Sequence, residues 1–251
     1  VLYVFGGGFV TGRRNDPVLF KWIRTLNDNG YNVVSIDYRL GMKDYKVGKG
    51  LSGAIKSVDR FLLSQEIGVE DVFSAVSYLG AHQELGIKAD NIVLCGSSAG
   101  AIISVASAYA VANGKTEGLP EGFPGFKGVM SFAGAIISTT GAPKFKARPC
   151  QMLLLHGTAD KAVAYNSYGA FGHGLWGSSY IAGHIQKKGW PVCIYRFKDR
   201  THDVAAYLEV LWNLEEDFLE KVTRGESFSV DAMVEDPSLP SWGNISLDDI
   251  Y

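Results

Sequence analysis

Short runs of consecutive apolar residues alternate along this chain with longer stretches in which apolar residues recur every three or four positions. The runs at 2–5, 31–37, 92–95, 128–132, 151–155 and 192–197 are too short for helices. They carry β-branched and aromatic residues and read as buried strands. Between the first two, Val18, Leu19, Trp22, Ile23 and Leu26 fall on one face of a helix over 16–29, which Gly30 ends. A polar, lysine-containing loop at 41–50 precedes two helical stretches, around 51–64 and 69–85. Further helices are predicted from 101 to about 112, near 178–188, and from 203 to about 222 as one long closing helix. Strands separated by helices of this length imply an α/β fold with a mostly parallel sheet and right-handed crossovers.

The totals narrow the picture without changing it. A chain of 251 residues is long enough for one domain with a substantial core. At 47% hydrophobic and 20% charged residues, with a net charge of −2, nothing marks a nucleic-acid or anionic-membrane surface. No apolar run approaches the roughly 18–20 residues that span a bilayer. Three cysteines cannot make a disulfide framework, and Cys95, Cys150 and Cys193 read as inert core thiols. They have no neighbours with zinc-ligand spacing, so no metal and no cofactor is expected. Residues 226–251 hold six acidic residues and no Lys or Arg, leaving the rest at +4 from 24 basic and 20 acidic residues. The expected division is therefore a catalytic body over 1–225 and an acidic extension over 226–251, either docked on the body by Trp242 or partly disordered, with a partner-binding tail as the alternative. The chain opens without an initiator Met, directly on a strand. A targeting segment would lie upstream, and the compartment is not read from these residues.

The chemistry centres on Cys95-Gly96-Ser97-Ser98-Ala99-Gly100-Ala101. An apolar run ends in Gly-x-Ser-x-Gly and a small-residue helix follows at once, the context in which the central Ser98 is a nucleophile on a strained turn. Glycines two before and two after it are needed because strand and helix backbones approach closely there. A serine hydroxyl needs a base, an orienting acid and oxyanion donors. Asp160, in His156-Gly157-Thr158-Ala159-Asp160, lies just past a buried strand. His202, in Thr201-His202-Asp203, lies after the last strand. Both sit where ligand sites of parallel sheets gather, and the order Ser, Asp, His suits the motif. His82, His156, His173 and His184 fit less well by position. The loop Phe5-Gly6-Gly7-Gly8-Phe9 follows the first strand, and the amides of Gly7, Gly8 and Ala99 are the candidate oxyanion hole.

With these segments in place the chain resembles the α/β-hydrolases, in particular the triple-glycine carboxylesterase/lipase group that includes hormone-sensitive-lipase-like and small bacterial acetyl- or feruloyl-type esterases. The matching segments are Phe5 to Phe9, Asp37-Tyr38-Arg39-Leu40, Asp71 to Leu79, Gly96 to Gly100, His156 to Asp160, and His202. The resemblance implies an α/β-hydrolase fold with Ser98, Asp160 and His202 as the triad, and structural roles for Arg39 and Asp71. Two departures stand out. Phe5 replaces the His that opens the loop in many relatives, so the support of the oxyanion loop is expected to differ. Strands usual before the first one are absent, so the chain reads as a processed or truncated form.

The connection over 134–149 is too short for a large cap. The insertion over 161–190 carries Tyr165, Tyr168, Phe171, Trp176 and Tyr180 among six glycines. It suggests an open cleft with a mobile aromatic wall for a sugar or aromatic ester. Candidate substrate contacts are Phe9, Ser97, Tyr165, Tyr168 and Trp176. The resulting expectation is a serine ester hydrolase acting on short-acyl, sugar-linked or aromatic esters, with a small-molecule or glycan-linked substrate as its partner. An amide hydrolase using the same triad and a catalytically inactive binding protein are the alternatives.

Overall fold

The computed structural model describes residues 1–47 and 50–242, with the backbone alone for 50–55. In chain order the elements are β1 (Leu2–Val4), α1 (Phe20–Asp28), β2 (Val34–Ile36), α2 (Gly50–Ala81), β3 (Val93–Ser97), α3 (Ala99–Ala112), β4 (Gly128–Phe132) and β5 (Ala135–Ser138). They continue as β6 (Gln151–Gly157), β7 (Ser167–Ala170), β8 (His173–Gly177), α4 (Ser178–Lys187), β9 (Cys193–Phe197), α5 (Trp212–Thr223) and β10 (Val230–Val234). Seven strands form a sheet in the order β10-β9-β6-β4-β3-β1-β2, and every neighbouring pair is parallel. Helices flank it, as the alternating pattern requires. Every residue of β4 and β6 is buried, which is why these strands read as unbroken apolar runs rather than alternating ones.

Four predicted helices change. The two helices expected at 51–64 and 69–85 are one continuous helix, α2, followed by a 3-10 turn at Gln83–Leu85. Gly68 falls in the gap between the two expected helices. Its lack of a side chain instead lets α2 approach α3, where a Cβ would lie 2.4 Å from the Ile103 Cδ1 atom. The long helix expected from 203 is divided into a 3-10 turn, His202–Ala206, and α5. The Ala205 carbonyl accepts the Ser97 hydroxyl at 2.6 Å instead of continuing an α-helical ladder. The helix expected from 16 begins as a 3-10 turn, Pro17–Leu19, capped by the Asp16 carboxylate, and Val18 points to solvent.

The 161–190 insertion, expected as a mobile aromatic wall with a helix near 178–188, folds into the hairpin β7–β8 followed by that helix, α4. With β5, the hairpin makes a small antiparallel sheet in the order β5-β8-β7. The buried Gln65 side chain completes the free edge of β5, donating to the Ile137 carbonyl at 3.2 Å and accepting its amide at 2.8 Å. The acidic segment past residue 225 contributes β10 to the main sheet, where Asp231 receives Arg196 Nε at 2.6 Å and Nη2 at 3.0 Å. The expected boundary at 225 thus leaves a strand of the main sheet on the tail side, and residues 243–251 of that extension lie outside the described residues. The three cysteines are free. Burial pushes the Cys193 thiol up to about 11 and that of Cys95 well above its ordinary range.

Two glycines offer a matched test of packing. A Cβ on Gly100 would lie 2.0 Å from the Val4 carbonyl oxygen, whereas one on Gly183, in α4, meets nothing within 4 Å. Gly100→Ala is expected to destabilise the fold by about 3 kcal/mol or more. Gly183→Ala is expected to stabilise it by roughly 0.5–1 kcal/mol. Urea denaturation of both variants checks the pair, and equal effects would contradict the packing account.

Glu215 supplies a second test. It is fully buried in α5 and accepts Trp22 Nε1–H at 2.8 Å on one oxygen, while its other oxygen has no partner. Burial pushes this carboxyl well above its ordinary range, and the Trp22 bond offsets that only in part. In the unfolded chain the group ionises near pH ~4.3, so above that pH the folded state holds more protons and stability falls as pH rises. Glu215→Gln should therefore gain on the parent at pH 7, with the gain shrinking towards pH 4. A difference of the same size at both values would count against it.

Candidate active site

The candidate nucleophile, Ser98, stands at the turn from β3 into α3. Ser98 sits at φ 51° and ψ −118°, a left-handed region that costs a non-glycine residue about 1–3 kcal/mol. Close backbone approach on both sides fixes it there: a Cβ on Gly96 would lie 2.2 Å from the Gly100 carbonyl oxygen. The Ser98 amide donates to the Phe132 carbonyl at 2.9 Å, and the Ser98 carbonyl receives the Ile102 amide at 2.9 Å. The hydroxyl is thereby thrust out at the carboxyl edge of the sheet.

Two further strand ends converge on it. Gly157, at the end of β6, is packed so closely on the chain leaving β9 that a Cβ would lie 2.3 Å from the carbonyl oxygens of Arg200 and Thr201. The Thr158 amide reaches the Phe197 carbonyl and that of Ala159 reaches the Arg200 carbonyl, each at 2.9 Å. This contact brings His202 beside Asp160. His202 Nε2 lies 2.8 Å from Ser98 Oγ, and His202 Nδ1 lies 2.7 Å from Asp160 Oδ2. The amides of Ala162 and Val163 donate to Asp160 Oδ1, each at 2.9 Å, fixing the carboxylate plane. Nδ1 thus carries the proton shared with Asp160, which leaves Nε2 as an acceptor facing the Ser98 hydroxyl.

His156, set aside by position in the sequence, belongs to this cluster. It is fully buried, with Nε2 at 3.2 Å from both Asp160 Oδ2 and the Val163 carbonyl. Both are acceptors, so Nε2 holds the hydrogen. Nδ1 meets the Ser178 hydroxyl at 2.9 Å. Burial pushes the Asp160 carboxyl up, but hydrogen bonds from His156 and His202 outweigh that and hold it well below the usual carboxylate range. The available signal was His156 standing at the end of the strand that delivers Asp160.

The glycine loop lies against the serine. A Cβ on Gly6 would be 3.3 Å from that of Ser98, and Gly7 and Gly8 adopt positive φ of 100° and 63°. The amides of Val10 and Thr11 turn back to the Gly7 carbonyl at 3.0 and 3.1 Å. Ala99 opens α3, where an amide has no acceptor within the helix. Phe5 stacks on Tyr38 with ring centroids 4.5 Å apart, and the Tyr38 hydroxyl donates to the Gly6 carbonyl at 3.3 Å. This aromatic pair supports the loop. Farther out, Arg39 joins the loop after β2 to α2, its amide and Nε donating to the Asp71 carboxylate at 2.7 and 2.8 Å.

Two cavities meet at Ser98. A cleft of about 900 Å³ is lined by Gly7, Gly8, Ser98, His202, Leu208 and Trp242, among others. A pocket of about 40 Å³ is lined by Phe9, Phe61, Ala99, Ile102, Ile137 and Val163, with Gly8 and Ser98 at its mouth. Of the residues expected to touch substrate, Phe9 borders the small pocket and Ser97 the cleft, though the Ser97 hydroxyl is committed to Ala205. Tyr165, Tyr168 and Trp176 line neither cavity. Tyr165 accepts Arg196 Nη1 at 2.6 Å, Tyr168 is 74% exposed on β7, and Trp176 packs near Tyr180. Pairing puts Trp176 on the face of the small sheet opposite Leu175, which lines the small pocket. No cluster among the described residues could hold a metal ion, and no described helix is long and apolar enough to cross a membrane.

Comparison with known proteins agrees with this geometry. A phospholipase/carboxylesterase family model matches residues 54–173. No curated protein matches the sequence significantly. Among solved structures, the propionate-bound esterase Est2 of the planctomycete Thermogutta terrifontis is similar at 20% identity, over 87% of this chain and 82% of that one, with a TM-score of 0.59. Its native form gives the same identity and TM-score over 87% and 80%. Esterase 2 phosphorylated by paraoxon, from the same organism, is 18% identical over 87% and 81%, with a TM-score of 0.54. The fold is therefore that of the α/β-hydrolases.

Ser98→Ala and His202→Ala should each abolish turnover with the fold intact, and Asp160→Asn should cost about 10⁴-fold in kcat through loss of imidazole orientation. His156→Phe, which fills the space but removes the hydrogen bond to Asp160, should lower kcat by roughly tenfold with little change in KM. Steady-state kinetics beside circular dichroism separates these outcomes from unfolding. Unchanged kcat in a folded His156 variant would remove that residue from the site.

Proposed function

We propose that this protein is a serine carboxylic-ester hydrolase that works through an acyl-enzyme. One observation carries the reading: Ser98, His202 and Asp160 stand in hydrogen-bonded line at 2.8 and 2.7 Å beside a substrate-sized cleft. His202 takes the Ser98 proton as Oγ attacks the ester carbonyl. The amides of Gly7, Gly8 and Ala99 receive the oxyanion, and His202 then returns the proton to the departing alcohol. Water, activated in the same way, releases the acid and regenerates Ser98. The partial family match and the esterase neighbours support this chemistry.

The two cavities divide the substrate. The leaving oxygen must lie within reach of His202 Nε2, so the alcohol occupies the cleft that His202 lines. The acyl group, retained on Ser98, extends into the small apolar pocket, which His202 does not line. At about 40 Å³ that pocket has room for about three water-sized groups. The fitting substrates are esters of short acyl groups with larger, aromatic or sugar-like alcohols. Binding of propionate and butyrate by the Thermogutta terrifontis esterase supports this reading.

The test is an ester panel at fixed alcohol. The ratio kcat/KM should peak between acetate and butyrate and fall by about tenfold or more at octanoate. A genuine acyl tunnel would instead add up to about 0.8 kcal/mol for each buried methylene. A steady rise to long chains would overturn the acyl assignment. Failure of a fluorophosphonate to label Ser98 would overturn the esterase reading itself.

A further inference from the structure

The chain past β10 returns to the active site. The Asp236 carboxylate accepts the Ser238 amide at 2.9 Å and its hydroxyl at 2.6 Å, while Arg200 Nη2 donates to the Asp236 carbonyl at 2.7 Å. The Tyr207 hydroxyl donates to the Pro240 carbonyl. Asp203, buried and next in sequence to His202, accepts the Trp242 amide at 2.9 Å and the Ser241 hydroxyl at 3.3 Å. The indole of Trp242 lies 5.6 Å from the buried Tyr207 ring, yet 55% of the residue remains exposed. It borders the same cleft as Ser98 and His202.

This arrangement positions a large aromatic surface without covering it. The backbone contacts of 236–242 hold the strap in place independently of the Trp242 ring, which is therefore free to receive a ligand on the cleft side. Indole offers a flat apolar face at little conformational cost. Val18 and Val210, exposed for residues of their type, complete an apolar rim around this end of the cleft.

We propose that Trp242 is a specificity-determining residue that stacks on a flat, apolar alcohol moiety of the ester, so that the acidic C-terminal strap forms one wall of the leaving-group site. The proposal rests on the esterase reading and on the alcohol lying on the His202 side. It assigns Trp242 the part that the sequence suggested for the aromatic insertion.

The experiment compares 2-naphthylmethyl acetate with methyl acetate. The two share an acyl group and a similarly basic alkoxide leaving group, so their kcat/KM ratio reports binding of the alcohol. Trp242→Ala should lower that ratio about tenfold, equivalent to about 1.4 kcal/mol, mainly through KM for the naphthyl ester. Trp242→Phe should restore most of it. An unchanged ratio in Trp242→Ala, or equal losses on both esters through kcat alone, would overturn the proposal, the latter marking a support for His202 instead. Hydrolysis of neither ester by the parent protein, with Ser98 unlabelled by a fluorophosphonate, would instead overturn the underlying esterase reading.

Discussion

The start of α3 presses on β1 so closely that a Cβ on Gly100 would stand 2.0 Å from the Val4 carbonyl oxygen and 2.5 Å from that of Phe5. This crossing forces β3 to turn into the helix without an intervening loop, and it drives Ser98 into its positive φ. The same contact sets the glycine loop that follows β1 beside the nucleophile. Strain at one residue is sustained because β1, β3, β4 and α3 all pack around it, and their buried apolar surface outweighs a local cost of a few kcal/mol. Candidate nucleophile and candidate oxyanion donors are thus placed by a single backbone contact.

A second close approach, at Gly157, does for the acid and base what Gly100 does for the serine. It clamps the loops after β6 and β9 together before any side chain is considered. Asp160 is then shared between two imidazoles, the exposed-side His202 and the buried His156, and receives two backbone amides as well. A buried carboxylate is costly unless it is hydrogen-bonded, and here every bond favours its charged form. The orienting acid is consequently held ionised with its geometry fixed on both sides.

Beyond this rigid centre, the walls of the site come from segments of different character. The small pocket is closed by α2, α3 and β5 together with Ala162, Val163 and Leu175 of the 161–190 insertion. The wide cleft is bordered by the turn after His202 and by the C-terminal strap. Tyr165, Trp176 and Tyr180 of the insertion make structural contacts, while Tyr168 and Phe171 are exposed. Tyr165 is bound to Arg196, which in turn ties β9 to β10, and Tyr180 lies near Trp176 and donates to the Pro143 carbonyl at 3.2 Å.

The sequence by itself determined the alternating α/β order, the buried strands and the elbow around Ser98, because each is a local pattern. Apolar runs, helical spacing and glycines at fixed offsets act within a few residues. Asp160 and His202 were legible too, since both stand at strand ends in a parallel sheet, where side chains collect at one edge. Other features depended on contacts distant in sequence. Whether Gly68 would break a helix or admit a neighbour depended on Ile103, 35 residues away. The place of His156 beside Asp160 depended on the rotation of β6, and that of Trp242 at the cleft on an amide bond to Asp203 across 39 residues. The aromatic insertion looked like a substrate wall from composition alone, but Tyr165 is engaged by Arg196 and Trp176 pairs with Ile136 of β5, on the face opposite Leu175 of the small pocket. Composition and spacing specify which groups a chain possesses, whereas the direction in which a side chain points is settled by the backbone that packs behind it.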